Sequence, residues 1–272
     1  CGIKRQINCY SMVPWKTTFR YFDESLNRDT TLDAAIGTPE YNAHWKSMLV
    51  DFTRHLKEKG WFTKTSIAMD ERPMKAMQAV ISLLKEVDPE WKVALAGEYH
   101  PEIEKDIFEY CVASAWQFEP ATLERRKREG KPSTFYTCCV EPYPNGFTFS
   151  PPDEHVWIGW YAAAKGFTGY LRWAYNSWVQ HPLQDSRFKT WPAGDTYQVY
   201  PGPMTSIRFE KLTEGIQDYE KIRIIREKYI RDGNQDKLRE LDEILETFSI
   251  DKLKSIPASV MVTKAKGELR KL

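Results

Sequence analysis

Thr65-Ser-Ile-Ala-Met-Asp-Glu-Arg-Pro73 is the stretch from which the fold can be read. Ser66 to Met69 is short, apolar and partly β-branched, the pattern of a buried strand. Asp70 and Glu71 end it as adjacent carboxylates. Pro73 stops the strand and suits the first turn of a following helix. Neighbouring residues on a strand face opposite ways, but at a frayed strand end both side chains can turn into one cleft. In parallel α/β folds the C-terminal strand ends carry the active site. The plainer reading of Asp70-Glu71 is a solvated acidic turn ahead of a helix N-terminus.

Working outward, Gln6 to Met12 reads as a strand ended by Pro14-Trp15. A polar, aromatic stretch with Trp15, Phe19, Tyr21 and Phe22 follows to Pro39 and reads as an extended loop. Tyr41 to Lys59 is predicted as an amphipathic helix, with Trp45, Leu49, Phe52 and Leu56 at helical spacing and Gly60 at its end. Met74 to Val87 is a second helix. Further strands are predicted at Lys92 to Ala96, Ile107 to Val112, Ser133 to Val140, Thr168 to Ala174 and Thr196 to Tyr200. Between and after them come helices at Ala121 to Arg128 and His155 to Lys165, then a long one after Pro201-Gly-Pro203 and another around Leu238 to Phe248. Strands alternating with helices imply a parallel sheet with right-handed crossovers. About seven strands in this length imply an α/β fold, a (β/α)8 TIM-like barrel joined one or two elements after its start. The whole chain, 1–272, is then one catalytic domain, with N-terminal elements expected upstream.

The 272 residues can bury a sizeable core, and the net charge of +1 is spread over interspersed charges. That argues against a nucleic-acid partner or a basic membrane face. No apolar run of about 18 residues encodes a transmembrane segment. Cys9, Cys111, Cys138 and Cys139 lack metal-ligand spacing, and so do His44, His55, His100, His155 and His181, so neither a metal nor another cofactor is called for. Cys1 fits either the lipid-bearing residue of an exported protein or the start of a trimmed chain. Aromatic residues make up 14% of the chain, including ten Trp, which suits stacking on sugar rings as well as core filling.

The predicted strand ends carry Tyr10 and Ser11, Asp70 and Glu71, Glu98, Glu141, then Trp173, Tyr175, Asn176 and Tyr200. Carboxylates ringed by aromatics and amides suit carbohydrate binding. Each has a plainer reading: Trp173 and Trp178 as packing residues, Asn176 as a turn residue, and Asp185 and Arg187 as a local ion pair that orders its loop.

The chain resembles the catalytic domain of glycoside hydrolase family 123. The resemblance is carried by Met69-Asp-Glu-Arg72, Trp160-Tyr-Ala-Ala-Ala-Lys-Gly-Phe167, Gly169-Tyr-Leu-Arg-Trp-Ala-Tyr-Asn-Ser-Trp178, Asp185-Ser-Arg-Phe188, Trp191-Pro-Ala-Gly-Asp-Thr-Tyr197, Tyr200-Pro-Gly-Pro203 and the run from Ser206 to Glu220. It implies an exo-acting β-N-acetylgalactosaminidase, an upstream β-sandwich domain and an extracytoplasmic location. It also implies substrate-assisted chemistry, in which the sugar's 2-acetamido oxygen attacks the anomeric carbon. Glu71 would be the general acid/base and Asp70 the carboxylate that steadies the acetamido group. Tyr136, Trp173, Tyr175, Asn176 and Asp185 would be sugar contacts, and the partner a glycan or glycolipid. The alternatives are a glycosidase for another sugar and a carbohydrate-binding protein without catalysis.

Overall fold

The computed structural model describes residues 5–10, 12–13, 18–187 and 191–272. Cys1, Ser11, Trp15 and Phe188 lie outside them. The chain divides into two compact units, Cys1–Val112 and Ala113–Leu272.

In the first unit, β1 (Ile7–Tyr10) is followed by an antiparallel pair, β2 (Thr18–Asp23) and β3 (Arg28–Asp33), and by α1 (Pro39–Glu58). Thr38 caps α1, its hydroxyl accepting the Tyr41 N–H at 3.3 Å, and Pro39 opens the first turn. Then come β4 (Thr65–Asp70), α2 (Met74–Val87), β5 (Lys92–Ala96) and β6 (Ile107–Ala113). The parallel order is β1-β4-β5-β6.

The two faces of this sheet differ in bulk. Ile67, Met69, Val93 and Leu95 lie on one face and join Leu49 and Leu56 of α1 and Met77, Val80 and Leu84 of α2 in the core. Each such side chain contributes roughly 1.5–3 kcal/mol by leaving water. The other face carries Ser66, Ala68 and Asp70 of β4 in register with Lys92, Ala94 and Ala96 of β5, so small residues dominate its middle. Over that low floor, Glu109 of β6 reaches β1: Asn8 donates its amide to Glu109 Oε2 at 2.7 Å, and Gln6 donates to the same oxygen. The sheet is therefore concave on the small-residue side.

The second unit holds α3 (Pro120–Arg128), β7 (Ser133–Thr137), α4 (Asp153–Lys165), β8 (Gly169–Arg172), α5 (Ile207–Arg231), α6 (Gln235–Leu245), α7 (Ile250–Leu253) and α8 (Ala258–Leu269). Strands β7 and β8 are parallel, pairing Thr134 with Gly169 and Thr137 with Arg172. Helix α4 is buried without a break from Glu154 to Ala162. Trp157 and Trp160 are fully buried against Phe248, with ring centroids 5.9 and 5.1 Å away, so both belong to the core. Asp218 of α5 accepts the Trp160 indole N–H at 3.0 Å and pairs with Lys266 of α8 at 3.0 Å. Helices α4 and α5 touch backbone to backbone: a Cβ on Gly159 would lie 2.1 Å from the Gly215 carbonyl oxygen.

The expected closed barrel is corrected here. The parallel strands described number six, and β1 has a strand neighbour only in β4 while β8 has one only in β7. Both are edges, so the chain has an open α/β fold and not a (β/α)8 TIM-like barrel. The strand expected at Thr196 to Tyr200 is the physical reason on the second unit's side. That segment makes a single antiparallel bridge, Asn176 to Tyr197, and so adds no parallel strand beyond β8. The stretch expected to be an extended loop contains the β2–β3 hairpin instead. Among the described residues, no helix is long and apolar enough to cross a membrane.

Gly159→Ala and Gly215→Ala should each destabilise the fold by about 1–3 kcal/mol, because backbone must move to admit the methyl group. Urea unfolding followed by tryptophan fluorescence measures this directly; unchanged midpoints would show that the crossing is looser than described.

Candidate active site

In the first unit the chemistry gathers where β4 and β1 end. Tyr10 pairs in register with Ala68, and Asp70 with Ala96, which sets Tyr10 and Asp70 on the concave face. Tyr10 is 54% exposed as a residue, but loss of water around its hydroxyl raises the phenol above the usual tyrosine value, and Cys111, Glu109 and Asp70 raise it further. Asp70 Oδ1 accepts the Glu71 N–H at 2.9 Å, and its Oδ2 lies 3.9 Å from Arg72 Nη1. Arg72 also donates to the Glu71 carbonyl and, through Nε, to the Val13 carbonyl at 3.1 Å. Its side chain is therefore buried, while Asp70 stays half-exposed and Glu71 exposed. Gly97, one residue beyond β5, gives Glu71 its room: a Cβ there would come 2.3 Å from Glu71 Cγ. Asp70 thus accepts a backbone N–H and lies near the Arg72 guanidinium, and Glu71 is exposed beside it.

In the second unit the organising group is Arg172, the last residue of β8. Its Nη1 donates to the Thr137 carbonyl at 3.1 Å and to Asn145 Oδ1 at 2.9 Å. Its Nη2 donates to the Asp195 carbonyl at 2.8 Å and meets Asp195 Oδ1 at 2.5 Å in a buried ion pair. Burial pushes the Asp195 carboxyl upward, and Arg172 pulls it back. Asn145 passes the order on, donating to the Cys138 and Glu141 carbonyls, both at 2.6 Å. Arg208 donates to the Gly146 and Gly194 carbonyls at 2.6 and 2.7 Å.

These clasps back the segment that carries three of the candidate sugar contacts. Tyr175 O accepts the Gln198 N–H at 2.8 Å, Thr196 O accepts the Ser177 N–H at 3.0 Å, and Val199 O accepts the Trp178 indole N–H at 2.8 Å. Trp173 and Tyr175 remain 42% and 46% exposed, and Asn176 is exposed beside them. Trp173 packs edge-on to Trp191, with centroids 5.6 Å apart. Tyr136 lies half-buried on β7, in register with Leu171. Asp185 is held at 2.6 Å by Arg187, which draws its carboxyl down to about 2, as the local-pair reading expects. Glu141 is spent on the Cys138 N–H at 2.8 Å. The sequence reading missed Arg72, Gly97, Asn145, Arg172, Asp195 and Arg208. Arg72, Arg172, Asp195 and Arg208 do sit inside the quoted family runs; Gly97 and Asn145 lie outside them. Among the described residues, no cluster of His, Cys, Asp and Glu is placed to hold a metal ion.

The sequence matches the glycoside hydrolase 123 catalytic domain over residues 1–225. The chain belongs to glycoside hydrolase family 123. Among solved structures, a family 123 glycoside hydrolase from Clostridium perfringens, described for glycolipid glycan hydrolysis, is similar at a TM-score of 0.80 and 26% identity. The similarity covers 98% of this chain and 50% of that one, so the chain spans half the length of its relative. No curated protein sequence matches.

Two neighbouring groups behind the family 123 runs titrate in opposition. Burial lifts the Glu154 carboxyl to about 7, against the hydrogen bond from the Asn145 N–H. Burial, helped by the charges of Arg172 and Arg208, drops the His155 imidazole to about 3. From about 4.5 to 7 the unfolded chain ionises Glu154 before the folded one, so this group's contribution to stability falls as pH rises. From about 6.5 down to 3 the unfolded chain protonates His155 first, so its contribution falls as pH drops. The two slopes oppose each other over their shared window. Glu154→Gln should therefore leave a protein that loses stability steadily as pH falls from 6.5 to 4.5, where the parent is nearly level. Denaturant titrations at several pH values test it, and parallel profiles would remove the assignment.

Proposed function

We propose that this family 123 chain is a retaining, exo-acting glycosidase that removes terminal β-linked N-acetylgalactosamine by substrate-assisted catalysis. The observation that carries the reading is the placing of two adjacent carboxyl groups at the end of β4: Asp70, which accepts the Glu71 N–H at 2.9 Å and lies 3.9 Å from Arg72, and Glu71, exposed above Gly97. Ordinary retaining glycosidases set two carboxyl groups about 5 Å apart and use one as nucleophile. Adjacent residues at one strand end suit a different division of labour.

Glu71 gives its proton to the glycosidic oxygen as the C1–O bond breaks. The acetamido oxygen closes on C1, forming an oxazolinium ion whose N–H is steadied by the Asp70 carboxylate. Glu71, now ionised, takes a proton from water as that water opens the ring at C1. The sugar leaves with its β configuration retained, and the acid is restored. Trp173, Tyr175 and Asn176 are proposed sugar contacts because they are exposed on a braced segment and lie in a family run. Tyr136 and Asp185 are proposed on the likeness alone, and Asp185 would act while still paired to Arg187. The relative's described action on glycolipid glycans supports a glycan or glycolipid substrate.

On aryl β-N-acetylgalactosaminide, Glu71→Gln and Asp70→Asn should each lower turnover by at least about 100-fold, the lower range for a positioned proton donor. Near-parental activity in either variant would remove its role. Cleavage of aryl β-galactoside, which lacks the acetamido group, would favour a glycosidase for another sugar. N-acetylgalactosamine binding with no turnover of any aryl glycoside would favour a binding protein. Gly97→Ala should push Glu71 aside and cost about 10- to 100-fold in kcat while the fold stays intact by circular dichroism.

A further inference from the structure

Two polar side chains buried in the second unit stand outside every clasp described above. Among the described residues, neither ring nitrogen of His155 and neither end of the Gln198 amide has a partner in hydrogen-bond geometry. His155 is 1% exposed and Gln198 0%. Buried groups of this kind are normally satisfied, because leaving them unpaired costs more than a pair returns. The two are neighbours across the bare Cα of Gly146: a Cβ there would lie 2.5 Å from His155 Nε2 and 3.0 Å from Gln198 Nε2. Burial and the charges of Arg172 and Arg208 keep the imidazole neutral, while Gln198 pulls the other way. A neutral imidazole offers one donor and one acceptor, and a side-chain amide offers both, so the groups are complementary in either tautomer.

Gln198 also closes a ring of contacts through Tyr175. Its N–H donates to the Tyr175 carbonyl at 2.8 Å, and its own carbonyl accepts the Ser206 hydroxyl. That hydroxyl accepts the Phe209 N–H at 3.1 Å, and the Phe209 ring stands edge-on to Tyr175 with centroids 6.0 Å apart. One residue along, Tyr197 bridges to Asn176. His155 lies in the first turn of α4, whose unbroken burial from Glu154 to Ala162 makes it a fixed wall.

We propose that His155 and Gln198 pair across Gly146 as positioning residues, and that the pair fixes Tyr175 and Asn176 as a sugar-contacting surface. Both are buried, so they touch no substrate and act through Tyr175. His155 ties Gln198 to the helix core, and the main chain of Gln198 carries that fix to the exposed segment. The proposal rests on the glycosidase reading for what Tyr175 and Asn176 meet, but not for the pair itself.

The test uses the intact protein and two readouts: amide hydrogen exchange at Ser177, whose N–H donates to the Thr196 carbonyl, and KM and kcat on aryl β-N-acetylgalactosaminide. Gln198→Met keeps the volume and removes the amide; His155→Leu removes the imidazole. Each should speed exchange at Ser177 about tenfold, as local opening becomes easier. Each should raise KM about fivefold or more with kcat within about twofold of the parent, as loss of uniform binding does. His155→Gln restores a donor and an acceptor and should bring KM back toward the parent. The double variant His155→Leu, Gln198→Met should lose less than the two single losses multiplied, because the residues are coupled. Parental exchange and KM in both single variants would overturn the pair, and so would His155→Gln behaving like His155→Leu. A fall in kcat together with lowered global stability, at unchanged KM, would mark a purely structural role and overturn the positioning. Should His155→Leu fail to fold, Gln198→Met carries the same comparison. The two readings fail separately: faster Ser177 exchange with no turnover by the parent keeps the pair and removes the reaction, whereas parental exchange in active variants does the reverse.

Discussion

Glu109 receives the side-chain amides of Gln6 and Asn8 across two intervening strands. Flat, β6 and β1 would stand about 14 Å apart, three strand spacings. The bridge closes over Ser66, Ala68 and Ala94, while Lys92 on the same face turns its ammonium to the Thr63 carbonyl. Hydrogen bonds to a charged acceptor are worth about 1.5–3 kcal/mol each, so the bridge holds the curl as well as recording it. Tyr10 and Asp70 inherit their inward aim from that curl. Glu71, one residue past the end of β4, escapes the pleat and sits on the rim.

The second unit reaches the same end by another route. Here a buried guanidinium gathers three segments that are far apart in sequence. Burying Arg172 and Asp195 together is expensive in hydration, and such pairs add little net stability over an apolar replacement. What the pair supplies is geometry, since the planar fork of Arg172 must meet the Thr137 carbonyl, Asn145 and Asp195 at once. The braced segment from Trp173 to Trp178 can then keep large aromatic faces in water without collapsing onto the core.

How much of this could be read from the residues varies with the range of the interaction. The bounds of α2 and β5 were legible to the residue, because Pro73 and the helical spacing of Met77, Val80, Ile81 and Leu84 are local signals. The strand end with Asp70 and Glu71 was legible for the same reason. The β2–β3 hairpin was not, because its strands are polar; only the period-two spacing of Phe19 and Tyr21 betrayed it. The run from Thr196 to Tyr200 misled in the other direction. Its alternation mimics a strand, yet Gln198 and Tyr197 are drawn to the 175–176 segment instead. Whether a parallel sheet closes depends on what its last strand meets, and no periodicity encodes that. Asn145 is equally silent, since its partners Arg172 and Glu154 lie 27 and 9 residues away.

The crossing of α4 and α5 has one more consequence. Most helix contacts are made by side chains that give up rotamer freedom as they pack, a loss of up to about 2 kcal/mol for the longest of them. Where Gly159 meets Gly215, no rotamer exists to be frozen. The joint therefore forms without that entropic toll, and warming gives it no side-chain disorder to regain. It is also a joint that cannot be remodelled by degrees, because neither helix has a side chain there to trim. A lineage that loses one glycine must shift a whole helix, and the other glycine then has nothing left to accommodate.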